Sequence, residues 1–488
     1  MRIRCASLCL VVGAVGACSL APAYRTPETA SPPVAYREAG TWKEAQPADG
    51  WPRGPWWSIF NDPKLDALEM RVTAANQDLK AAFARLQQAR AGTRIARSAY
   101  FPTVTVGSDV SRSRTSVNSP AYSSTKPAIT NDFVLEADVS YEIDVWGRVR
   151  DQVTAARATE QASAADLASF DVSTHAELAA DYFMLRSEDA QQEILDHTVA
   201  DYVKALELTQ NLYDGGAAPI SDLQQAQAQL HTAQTQAADN LLNRAQTEHA
   251  IAVLLGEAAS TFHLDAQPLP LDLVPPAIDP GLPSALLERR PDVAAAERRV
   301  AAANAGIGVA RTAFFPVFGL LGAGGYESTT TSNWITAPSQ LWSLGPTALL
   351  TVFDGGLHRA QSAQAHAVYD EQVADYRRTV LTAFQEVEDE LAALRQLEQE
   401  GASQAAAVTA TQGALEQAQY RYQGGIVTYL EVVAAENAAL AARLSAVDIE
   451  VRRLQATVSL VKALGGGWDS RAPRPASQIA GGGPGGGA

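Results

Sequence analysis

Few residues in this chain have the types and spacing that chemistry needs. Ser459 and Lys462 match the S-x-x-K pattern of acyl-transferring hydrolases, but they lie in a helical run with no companion motif. Asp354 and His358 stand one turn apart if that stretch is helical; without a third ligand, they read as surface polar residues rather than a metal site. G-x-S-x-G, H-E-x-x-H, a paired cysteine cluster and a GK[ST] phosphate loop are all missing from the sequence, so the expectation is no enzyme, no metal and no nucleotide. The charge balance, 54 acidic against 38 basic residues and a net charge of -16, repels phosphate backbones and argues against a nucleic-acid partner.

The chemistry that remains concerns surfaces. Phe133, Leu135, Ala137, Val139, Tyr141, Ile143 and Val145 alternate with Glu136, Asp138, Ser140, Glu142 and Asp144, which predicts a strand with one apolar and one polar face. The apolar face suits lipid, and Glu136, Asp138 and Glu142 would then line water. Gly215-Gly216 and Gly424-Gly425 each follow a long helical pattern and predict left-handed helix caps. Asp222 and Glu431 fall at the sixth position after Gly216 and after Gly425. Acids on a helix first turn also suit the helix dipole.

These positions belong to a chain that repeats itself once. Ser98-Ala99-Tyr100-Phe101-Pro102 returns as Thr312-Ala313-Phe314-Phe315-Pro316, and Tyr213-Asp214-Gly215-Gly216 as Tyr422-Gln423-Gly424-Gly425. After the strand-like part of each half, residues 146–212 and 357–422 contain no proline and are rich in Ala, Gln, Glu and Leu, which predicts very long helices. Each would extend on the order of 100 Å. Before them come strand-like stretches at 103–116 and 130–145 in the first half, and at 317–330 and 341–353 in the second; Gly322, Gly324, Gly325 and Pro346 weaken the latter pair. Strands of about ten residues cross a bilayer, but bacterial barrels begin at about eight strands. An open edge cannot stand in lipid, so the sequence calls for an oligomer.

At the N-terminus Arg2 and Arg4 precede a short apolar run, Leu8 to Val15, then Gly16-Ala17-Cys18, an export signal that resembles the lipobox of bacterial lipoproteins. Removal of residues 1–17 would leave Cys18 first and carrying the lipid. Residues 18–60 read as a lipid-anchored tether rich in Pro, Ala, Ser and Thr, 61–265 as the first repeat with its tip at 213–221, 266–283 as a linker, 284–468 as the second repeat with its tip at 422–429, and 469–488 as a disordered Gly/Pro-rich tail.

Cys18, Pro22-Ala23-Tyr24-Arg25-Thr26-Pro27, Trp56-Trp57-Ser58-Ile59-Phe60-Asn61-Asp62-Pro63 and Asn76-Gln77-Asp78-Leu79, with both Phe-Pro junctions and both Gly-Gly turns, resemble the TolC-like outer-membrane factor family, in its NodT-type efflux lipoprotein branch. The resemblance implies a mixed α and β fold: a homotrimer in which each subunit gives four strands to a shared transmembrane β-barrel and long helices to a periplasmic tunnel. It also implies docking of the Gly215-Gly216 and Gly424-Gly425 tips on a periplasmic membrane-fusion adaptor, linked to an inner-membrane RND transporter. Location in the outer membrane, contact with its lipid, and no cofactor beyond the lipid on Cys18 follow from the same likeness. Asp222 and Glu431 become candidates for the periplasmic gate. Many relatives carry a second acid at the ninth position after the turn, where this chain has Ala434, so a double acidic ring does not transfer. A type I secretion duct, a metal-efflux duct and a poreless periplasmic coiled-coil lipoprotein stand as the alternatives.

Overall fold

The computed structural model describes residues 19–29, 35–39, 55–120, 122, 129–270, 275–276, 278 and 283–466. Cys18, the signal, much of the 18–60 segment and the tail after residue 466 lie outside them. Helices α1 (Pro63–Ala75) and α2 (Gln77–Ser98) lead into strands β1 (Thr103–Arg114) and β2 (Ile129–Ile143), then α3 (Arg148–Asp214) and α4 (Ile220–Leu254). The second half runs through α5 (Pro283–Arg289), α6 (Pro291–Thr312), β3 (Val317–Ser328), β4 (Gln340–Leu349), α7 (Leu357–Gln423) and α8 (Tyr429–Ala463).

The repeat holds to the residue in three of its helix pairs. Both α2 and α6 have 22 residues, α3 and α7 have 67, and α4 and α8 have 35. Such lengths follow from punctuation. The residue before proline is pushed out of the α region, so Phe101-Pro102 and Phe315-Pro316 stop α2 and α6 and open β1 and β3. At the far end, glycine stops α3 and α7.

The strands form one antiparallel sheet in the order β1-β2-β3-β4. Its register places Val104 opposite Val139, Val139 opposite Gly322, and Gly322 opposite Leu344, one apolar row across all strands. Pro346 does not interrupt the sheet, because β4 is an edge strand of this chain, where a missing N–H is tolerated. Four expected limits are corrected, two of them by short ends: β1 stops at Arg114 rather than 116 and β3 at Ser328 rather than 330. Asp144 and Val145 leave the strand: the Val145 amide donates to Ile143 O at 2.8 Å, and the Asp144 carboxylate accepts the amides of Val149 and Arg150, both at 3.0 Å, capping α3. Likewise β4 stops at Leu349 rather than 353, ahead of a bend through Gly355 and Gly356, both at positive φ.

Contacts divide the chain into two compact units, one built from Leu86–Ser163 and Ala295–Tyr376 with the stretch up to Glu28, the other from Ala164–Ala294 and the chain beyond Arg377 with Thr29–Arg85. The first holds the whole sheet. In the second, Trp56 (1% exposed) and Trp57 pack in a short 3-10 helix, Trp56–Phe60, just before Asp62. Asp62 caps α1 through Lys64 and Leu65, and its other oxygen accepts from Tyr182 Oη at 2.8 Å and Arg186 Nη1 at 2.6 Å. The tether expected over 18–60 is therefore packed at both ends of its described parts. Residues 19–24 bond to α3 and α6 in the first unit, and the amides of Arg37 and Glu38 donate to Glu388 in the second. Tyr24, Tyr36 and the two tryptophans supply the anchors.

Candidate functional site

The sheet carries Glu136, Asp138 and Glu142, the two helical tips carry both glycine pairs with Asp222 and Glu431, and Cys18 lies outside the described residues. On β2, Leu135 stands opposite Ser108 and Tyr326, and Ala137 opposite Val106 and Gly324; Gly324 stands opposite Trp342. One face thus collects Val104, Val106, Phe133, Leu135, Val139, Trp342 and Leu344. Glu136 and Asp138 occupy the other face, opposite Gly107 and Thr105. Glu142 shares that face but is not a free carboxylate, because Arg148 at the start of α3 forms a two-point ion pair with it. Among the described residues, β1 and β4 each offer a backbone edge with no strand beside it.

At the tips the expected caps are present. Gly216 has φ +73° and Gly425 has φ +68°. The amide of Ala217 donates to Leu212 O at 2.7 Å, and that of Ile426 to Arg421 O at 2.9 Å, the wider bond of a Schellman ending. Pro219 and Thr428 then open α4 and α8. The two tips meet: Ala226 of α4, Ala418 of α7 and Tyr429, Val432 and Val433 of α8 share one buried cluster. Tyr422 and Tyr429 pack ring to ring at 5.4 Å. Burial, and behind it the charge of Asp222, raises the Tyr422 phenol above its ordinary range, which places Asp222 beside this cluster. Glu431 pairs with Arg421 at 3.3 Å, both about half exposed.

Neither chemical pattern gains a constellation. Ser459 and Lys462 lie within α8. The amides of His358 and Gly356 donate to Asp354, holding its carboxyl below the ordinary range as the cap of α7. Among the described residues no group of three or more His, Cys, Asp or Glu side chains could hold a metal ion. No described helix is long and apolar enough to cross a membrane.

Sequence reasoning missed a buried polar cluster in the second unit. His175 of α3 (1% exposed) bonds through Nδ1 to Glu69 of α1, also fully buried; its Nε2 lies 3.2 Å from Thr73 Oγ1 and 3.4 Å from Asp171. Trp57 stacks on the ring at 4.4 Å. No local signal could have paired Glu69 with His175, because each looks like one polar position of its own helix.

A four-stranded sheet with one apolar face and two open edges, joined to twice-repeated long helices, defines a subunit of an outer-membrane channel. The family model described as outer membrane efflux protein matches residues 70–257 and 282–466, and the chain belongs to that family. It is 32% identical over 483 residues to the toluene efflux pump outer membrane protein TtgF of Pseudomonas putida, covering 97% of this chain and 99% of that protein. To outer membrane protein OprJ of Pseudomonas aeruginosa it is 32% identical over 463 residues, 95% and 96% of the two chains. Among solved structures, the Campylobacter jejuni CmeC outer membrane channel matches with a TM-score of 0.84 at 26% identity, covering 93% of this chain and 96% of that one.

Proposed function

We propose that this chain is the outer-membrane exit duct of a tripartite efflux pump, a passive conduit for small molecules. In this reading it assembles as a homotrimer, meets a periplasmic adaptor at Gly215-Gly216 and Gly424-Gly425, and takes its driving force from an inner-membrane RND transporter. A diacylglyceryl group on Cys18 adds a second attachment to the outer membrane. The observation that carries the proposal is the sheet: its apolar face asks for lipid, yet the free edges of β1 and β4 are forbidden there unless copies pair and close a barrel. Purified protein in a planar bilayer should give discrete single-channel conductance steps. Trimers that insert without conducting would mean a scaffold rather than a duct.

The tip acids give a further expected result. Arg421 offsets Glu431, so Asp222 supplies more of the uncompensated charge at a narrow mouth, where carboxylates concentrate cations. Asp222→Asn with Glu431→Gln should lower cation selectivity and weaken block by divalent cations. Arg421→Ala should do the opposite by releasing Glu431. Unchanged selectivity in both variants, with normal assembly, would remove these residues from the conduction path.

A further inference from the structure

The first described residues and a cavity of the sheet-bearing unit share two helices. The cavity, of about 470 Å³, lies where β2, β3 and β4 end against α3, α6 and α7. Trp146, Phe315, Phe318 and Leu349 form apolar walls, Gly306 adds a side of α6 without a side chain, and Arg148 stands at the polar edge. A volume of this size, mostly apolar with a few charged groups, fits an amphiphile. Trp146 is fixed there by its indole N–H, which donates to Pro316 O at 2.8 Å, and by Phe315 at 4.8 Å, so the wall is preformed.

The chain start is held beside it. Ser19 Oγ donates to Asp151 Oδ1 at 2.8 Å, Arg311 Nη1 to Leu20 O at 3.4 Å, and Asn304 Nδ2 to Pro22 O at 2.8 Å. Ala21 lies so close to Gly308 that a Cβ there would sit 2.6 Å from Ala21 Cβ and 2.2 Å from Asp151 Oδ2, so only glycine admits the segment. Asp151 is one helical turn from Arg148, and Gly308 one turn from Thr312, and both of those residues line the cavity. Residues three or four apart on a helix are about 5–6 Å apart, so Ser19 is moored within about one turn of the cavity wall. Cys18 directly precedes it in the sequence.

We propose that the cavity receives an acyl chain of the lipid carried on Cys18, an inference that rests on the lipoprotein reading above. An apolar tail leaves water for Trp146, Phe315 and Phe318, while the Ser19–Asp151 bond and the glycine contact aim the chain start at that wall. The lipid then acts as a plug that ties the N-terminal segment to the ends of the strands, in addition to any hold on the bilayer.

Cells fed a diazirine-bearing palmitate analogue would supply the full chain for irradiation in its native membrane and peptide mapping. The expected product joins the Cys18 lipopeptide to peptides containing Trp146 or Phe315–Phe318. That product should be lost in Gly306→Trp, whose Cβ meets nothing within 4 Å and whose ring fills the space, while label on Cys18, trimer and conductance remain. Ala310→Phe, one turn further along the same wall, provides a second filling variant should the first fail to assemble. Label on Cys18 that crosslinks only to phospholipid or to peptides of β1 would overturn the cavity and leave the lipoprotein reading standing. A crosslink in the cavity that persists in Cys18→Ala would make free lipid the occupant and also overturn the proposal. Absence of label on Cys18 would remove both.

Discussion

The unfolding temperature of this protein is expected to fall as pH rises from 6.5 to about 9, and a His175→Gln variant to lose most of that slope. Burial alone would lower the imidazole pKa, but hydrogen bonds to Asp171 and Glu69 and the charges of both carboxylates outweigh it and raise it to about 9. A group whose folded pKa exceeds its unfolded value stabilises the fold fully below the unfolded pKa, here 6.5, and loses that contribution through the folded value. The interval corresponds to about 3 kcal/mol. Glu69 works in the same direction at lower pH: burial raises its carboxyl to about 7 against the lowering by His175, so its contribution fades between 4.5 and about 7. The cluster therefore keeps a proton that higher pH removes. Breaking it from the other side, Glu69→Ala leaves a buried imidazolium short of a partner and should cost about 3–5 kcal/mol. Thermal unfolding of the three proteins between pH 6 and 9.5 checks both effects. A His175→Gln protein with the full wild-type slope would mean that His175 is neutral in the fold.

The second large effect belongs to the sheet. Leu135→Arg should cost about 2–4 kcal/mol of assembled channel, as charges do on the lipid face of outer-membrane barrels near the midplane. Leu135 sits mid-strand on the apolar face between Ser108 and Tyr326, with no carboxylate opposite it in the register to accept the guanidinium. Glu136→Arg, one residue on, points to the other face between Gly107 and Gly325 and should leave assembly intact while shifting ion selectivity toward anions. Refolding yield into lipid vesicles and single-channel recordings separate the outcomes. The reverse pattern would turn the sheet inside out.

These two predictions differ in how far the sequence announced them. Leu135 and Glu136 were legible because a strand has a period of two, so the alternation from Phe133 to Ile143 states the face of every residue without knowledge of the partner strand. Both tip caps were legible because glycine is the residue that adopts positive φ freely, and Gly216 and Gly425 do so. The equal helices could be anticipated from the matching Phe-Pro and Gly-Gly punctuation. His175 could not: α3 is rich in alanine and small polar residues, so its buried side does not stand out from its wet side, and a charge in such a helix reads as solvent-facing. Its partner lies 106 residues away on α1. The same reason hid Arg148 from Glu142, since the strand pattern counts the acid but not the base that folds back on it from the next helix. In the N-terminal segment composition misled differently: a run of prolines gives no address, whereas single aromatic residues, Tyr24 and Tyr36, fix where its described parts bind.

The matched helix lengths have a consequence for symmetry. Equal helices make the two halves geometrically equivalent units, although their side chains are not the same. The difference shows where the halves turn: Pro219 opens α4 while Thr428 opens α8, and only the second turn holds its acid with a neighbouring arginine, Arg421 to Glu431, among the ion pairs described. Each copy of the chain thus presents two non-identical turns. A ring built from copies of this chain therefore alternates two chemically distinct turns around its circumference, so its pseudo-symmetry is twice its true symmetry.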